Sequence, residues 1–101
     1  MKKYFILEES PTHPGKYAIR LNFGAFDNIS TTGSFVLLPA RLLHLSYANY
    51  LRFCRDQLGG EIIGKKNYYP VVYFSKTENV NTLVELLNAR MDEVMRQRDV
   101  K

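Results

Sequence analysis

The chain is poor in the residues that redox and metal chemistry use. It has one cysteine, Cys54, in 101 residues, so no internal disulfide can form and a disulfide-stapled scaffold is excluded. Its two histidines, His13 and His44, belong to no His-x-x-x-His pair. There is no Cys-x-x-Cys and no Asp/Asn-rich loop closed by a glutamate, so the common zinc and calcium frames are missing. Neither Gly-x-Gly-x-x-Gly nor a P-loop occurs, which removes the usual phosphate cradles. Long apolar runs are missing too. The opening run from Tyr4 stops at Glu8, too short for a signal-peptide core or a membrane span. We therefore expect a cytoplasmic protein, not an enzyme, with no metal, no cofactor, no membrane association and no small-molecule substrate.

What is present suits one domain covering residues 1–101. Hydrophobic residues make up 46% and charged residues 24%, the balance of an ordinary globular chain rather than a disordered one. A chain of this length can bury a core unaided. The formal net charge of +4 permits an anionic partner such as nucleic acid and would speed encounter with one.

Local patterns set the expected elements. Lys3 to Glu8 is rich in aromatic and branched residues and reads as a strand. Two prolines and a glycine in Ser10–Gly15 make a turn. Lys16 to Phe23 alternates, with Tyr17, Ile19, Leu21 and Phe23 on one side and Ala18 and Arg20 on the other, as a half-buried antiparallel strand does. Gly24 to Gly33 reads as a loop. Ser34 to Leu38 fits either a short strand or the approach to a helix.

Leu43, Tyr47, Tyr50, Leu51, Cys54 and Leu58 form one helical stripe. Pro39 suits a first helical turn and Ser46 an N-cap, so a short turn of helix near Pro39 to Leu43 and a main helix from Tyr47 are expected, with one helix over 39–58 the alternative. Gly59-Gly60 ends the helix, because glycine takes the left-handed conformation at low cost. Glu61 to Lys65 and Tyr69 to Ser75 read as a second hairpin about a Gly64–Asn67 turn, and Pro70 puts its strand at an edge or lets it pair only beyond its first residues. Thr77 or Asn79 caps a last helix whose stripe is Val80, Leu83, Val84, Leu87, Met91, Val94 and Met95. The order β-β-(β)-α-β-β-α predicts an α+β fold: a four- or five-stranded, mainly antiparallel sheet with two principal helices on one face.

Candidate contact residues follow from charge and aromatic content. If residues 39–58 form one continuous helix, Arg41, Arg52 and Arg55 make a basic ridge opposite its apolar stripe. Lys65, Lys66, Tyr68 and Tyr69 make a basic, aromatic hairpin tip, and Arg20 and Tyr73 lie on neighbouring strands. Basic groups neutralise phosphates and tyrosine rings offer stacking faces. The function these residues suggest is a small non-catalytic binding protein, a nucleic-acid-binding accessory factor of phage or mobile-element type. The alternative is a protein-interaction module, either a homodimer or an inhibitor of a host factor. It would use the Tyr69/Val71/Tyr73 face or an edge strand.

The run Leu51 to Leu87, with Leu58-Gly59-Gly60, the basic hairpin and the following helix, resembles in pattern the second half of a LAGLIDADG homing-endonuclease repeat. The likeness covers about a third of the chain. That family's defining helix, ending in a metal-binding acid, has no counterpart here, so nuclease chemistry does not carry over. The resemblance implies at most a DNA-facing sheet.

Overall fold

Two hairpins and three helices account for the described chain. The structure, a computed structural model, describes residues 3–22, 37–65 and 68–99. The elements run β1 (Phe5–Glu9), β2 (Tyr17–Leu21), α1 (Leu38–Leu42), α2 (Tyr47–Leu58), β3 (Glu61–Lys65), β4 (Tyr68–Tyr73) and α3 (Glu78–Asp99). The Gly24–Gly33 loop, Ser34 to Val36 and Lys66 lie outside the described residues, as do the side chains of Lys65, Tyr68 and Tyr69.

The expected four- or five-stranded sheet is not what forms. Instead β1 and β2 make one antiparallel ribbon and β3 and β4 another. The first is in register from Phe5 opposite Leu21 to Glu9 opposite Tyr17. The second pairs Glu61 with Tyr73 and Ile63 with Val71, then shifts register before Lys65.

Among the described residues one antiparallel bridge joins the ribbons. Tyr17 and Phe74 exchange both backbone hydrogen bonds, at 2.8 and 2.7 Å. Pro70 limits how far such a ladder could run, although the next rung, Ile19 with Val72, comes before it and does not form. On β4, the residues that share Phe74's outward direction are Val72 and Pro70. Pro70 has no N–H to give, and its carbonyl already accepts the Tyr47 hydroxyl from α2. Beyond the bridge the ribbons part, leaving a cavity of about 130 Å³ between β2 and β4, floored by Tyr47, Tyr50 and Pro39.

Residues 39–58 form two helices. α1 ends in a left-handed turn: His44 takes φ 58°, its N–H donates to Arg41 O, and Leu45 N–H donates to Ala40 O. This is the paired-carbonyl stop that glycine or asparagine usually supplies. Ser46 then restarts the chain, its Oγ accepting Asn49 N–H at 3.2 Å. Gly59 closes α2 at φ 68°. Gly60 follows because space allows nothing larger: a Cβ there would lie 2.6 Å from Val72 Cγ2. Thr77 caps α3, its Oγ1 accepting Val80 N–H at 3.3 Å.

The core draws on every helix. Leu51 of α2 and Leu87 of α3 share one buried cluster with Phe5, Cys54, Val72, Phe74 and Met91. Tyr4, Ala40, Leu42, Tyr50, Val80 and Leu83 complete it. The strand alternation on β2 inverts in one respect. Ala18, expected to face outward, is buried, whereas Tyr17 is half-buried under the ammonium of Lys76, 5.8 Å from its ring centroid. Ala18 faces inward because it lines the cavity where the ribbons part.

Candidate functional site

The arginines of the anticipated basic ridge are dispersed and in part already engaged. The break at His44 puts Arg41 on α1 and Arg52 and Arg55 on α2, so no continuous ridge forms. All three are exposed. Arg52 donates to Asn49 Oδ1 at 2.6 Å. Arg55 pairs with its neighbour Asp56 at 2.9 Å. That hydrogen bond raises the Arg55 pKa and lowers that of Asp56. Arg20, exposed on β2, lines the cavity between the ribbons.

Tyr73, expected on an exposed aromatic face, is instead 3% exposed. Its ring lies against His13, with centroids 4.9 Å apart. The turn that carries His13 is tied down, since the buried Ser10 Oγ accepts the N–H groups of Thr12 and His13. The Tyr69/Val71/Tyr73 face is therefore closed at its Tyr73 end.

The single cysteine is equally enclosed. Cys54 has no exposed surface. Burial pushes its thiol up to about 11, against a smaller lowering by the Tyr50 hydroxyl bonded to it. A thiol held in its neutral form inside the core packs as a small hydrophobe. Among the described residues no group of three or more His, Cys, Asp or Glu side chains converges as a metal site. No helix among them is long and apolar enough to cross a membrane.

The most organised polar geometry lies between β1 and α3. Asn88 projects from α3 and is 6% exposed. Its Oδ1 accepts the N–H of Tyr4 at 2.7 Å and of Phe5 at 2.8 Å. Its Nδ2 donates to the Phe5 carbonyl at 3.1 Å. One carboxamide thus makes with Phe5 the pair of bonds that a neighbouring strand would make.

This fixes the direction of every peptide group along β1. Phe5 turns its N–H and C=O away from β2, toward the helix. In an antiparallel ladder each residue either exchanges both bonds with its partner strand or points both the other way. The residues facing β2 are the even ones: Tyr4 O accepts Asn22 N–H, and Ser10 N–H donates to Lys16 O. Leu7 and Glu9 therefore present their N–H and C=O outward, on the side of Phe5. Among the described residues nothing bonds to them there.

Alongside this edge runs a recess of about 410 Å³. Lys3, Phe5, Ile6 and Leu7 form one wall, and Asn81, Val84, Glu85 and Asn88 of α3 form the other. Asn81, Val84, Glu85 and Asn88 stand at i, i+3, i+4 and i+7, a single helix face. The recess has an apolar lining at Leu7 and Val84, a polar end at Asn88, and a row of outward peptide groups. An extended chain fits that combination, because it alone brings alternating donors and acceptors to a strand edge.

Asn88 was not among the residues that the sequence singles out. Its signal was there: an amide within the apolar stripe, between Leu87 and Met91 and four residues after Val84. Comparison with family models, curated proteins and solved structures gives no match for the chain.

Proposed function

We propose that this chain is a non-catalytic protein-interaction module that takes an extended segment of a partner as an added strand on β1. The observation that carries the reading is the outward pair of peptide groups at Leu7 and Glu9, continuing the line that Asn88 closes at Phe5. Exposed strand edges pair with further strands unless something blunts them. Here a helix side chain blunts one end of the edge and leaves the rest beside a recess.

The test is a proline placed on that edge. Glu9→Pro removes an outward N–H while sparing the bonds to β2, since Glu9 does not exchange hydrogen bonds with that strand. A capped hexapeptide of alternating valine and threonine, titrated to millimolar concentration, should slow amide exchange at Leu7 and Glu9 in the parent chain. It should shift no signals of the edge in Glu9→Pro. Equal binding to both would remove the reading.

A second reading, nucleic-acid binding, is favoured by the exposed Arg20 and Arg41, which form no ion pair among the described residues, together with the net charge of +4. Lys65, Lys66, Tyr68 and Tyr69 belong to this reading through the sequence alone. Affinity for single- or double-stranded oligonucleotides should then fall steeply with salt. Absence of any salt-sensitive binding disposes of it.

A further inference from the structure

We propose that the segment received by β1 is basic, and that β1 of a second copy of this chain is not the occupant. The proposal rests on the strand-addition reading above and adds the chemistry of the partner.

Charge around the edge carries it. The chain as a whole is cationic at +4, yet Glu8 and Glu9 end β1 and Glu85 stands in the helical wall of the recess. All three carboxylates are exposed, and none is ion-paired among the described residues. Lys3 is the one cation lining the recess among the described residues. A cross-strand neighbour of Glu9 lies close enough for charge to count, favouring the opposite sign and disfavouring the same. An anionic segment or a phosphate backbone meets repulsion here, and a segment with lysine or arginine at alternate positions meets attraction.

The same carboxylates, together with Asn88, disfavour antiparallel pairing of β1 with β1 of a second copy. Outward residues of an added antiparallel strand must oppose outward residues of β1, which limits the registers that β1 could adopt against its own copy. Centring on Leu7 sets Glu9 against Phe5, whose N–H and C=O Asn88 already holds. Moving the centre to Glu8 sets Glu8 against Glu8, and moving it to Glu9 sets Glu9 against Glu9. Each register either displaces a buried carboxamide or places like charges directly opposite, which destabilises the pair.

Three capped hexapeptides test this on the full chain, with valine alternating with lysine, with threonine or with glutamate. Amide exchange at Leu7 and Glu9 reports occupancy of the edge, and chemical-shift titration reports affinity. The lysine peptide should protect both amides and bind about tenfold more tightly than the glutamate peptide, with threonine between. In the Glu9→Lys/Glu85→Lys chain the order should reverse. Equal binding of all three at Leu7 and Glu9 overturns the basic partner and leaves strand addition standing. No protection by any peptide overturns strand addition itself, and this inference with it. Lysine-peptide binding without protection of those amides places the attraction elsewhere and also overturns the proposal. Sedimentation showing a dimer that Glu9→Pro dissociates would overturn the exclusion of β1 of a second copy.

Discussion

The edge of β1 and the outer face of α2 are both exposed and both polar, but their hydrogen-bonding states differ. On α2 the charges find local partners: Arg52 reaches back to Asn49 and Arg55 to Asp56. Those contacts join residues one to three apart on one helix, and exposed pairs of that kind contribute little to stability. On β1 the backbone polar groups are fixed in direction by the ladder to β2, and among the described residues Phe5 alone of β1 is satisfied on the outer side. Its partner comes from 83 residues away. A surface whose polar groups satisfy one another gives a visitor little to replace. A row of fixed peptide groups ending at a buried amide specifies the shape and chemistry of what can follow it.

That contrast can be broken most severely at Asn88. Asn88→Ala strands the N–H and C=O of Phe5 in a buried setting, and each such group costs about 1–3 kcal/mol. The loss of stability in denaturant should thus be about 3 kcal/mol or more. A change below 1 kcal/mol would mean that water replaces the carboxamide and that the edge is not closed at that end. Gly60→Ala comes next. A methyl 2.6 Å from Val72 Cγ2 must push β4 or α2 aside, at about 1–3 kcal/mol. This variant sharpens the comparison by loosening the second ribbon while leaving the β1 edge in place.

The Cys54 thiol gives a pH signature of intermediate size. Its folded-state pKa rises from 9.0 to about 11 because burial disfavours the thiolate. The folded state therefore binds the proton more tightly than the unfolded chain does. Stability should be level below about pH 9 and fall as pH rises toward 11. Urea midpoints measured between pH 7 and 11 check this, and Cys54→Ala should make the fall shallower. The smallest effects belong to α2's surface: Arg52→Ala and Arg55→Ala should leave the urea midpoint unchanged. A large loss from either would show that the face is structural and would erase the contrast with β1.

What the sequence discloses is mostly what neighbours in the chain decide. The Ser46 cap, the left-handed Gly59 stop, the Thr77 cap and both hairpins rest on interactions spanning a few residues, and they stand where local pattern puts them. Cys54 reads as buried from its place on a stripe, and it is buried. The joining of hairpins into one sheet is a long-range matter. Here the ribbons part after the Tyr17–Phe74 rung, and Pro70, which lacks a donor and gives its carbonyl to Tyr47 23 residues before it, could not extend the ladder further along. The break between α1 and α2 was legible in the Ser46 cap, but that His44 makes the left-handed stop was not, because histidine is not the usual residue there. Asn88 escaped because a stripe is read from its apolar members, so the polar residue among them went uncounted. Tyr73 looked exposed because nothing in the sequence shows that the Ser10–Gly15 turn folds back onto it.

Native-state amide exchange along β1 tests the central claim most directly, with no ligand and no substitution. Exchange should be slow at Phe5, held by Asn88, and at Ile6 and Glu8, held by β2, and fast at Leu7 and Glu9. Slow exchange at Leu7 and Glu9 matching that of Ile6 and Glu8 would mean that the chain already covers this edge, and would contradict that claim.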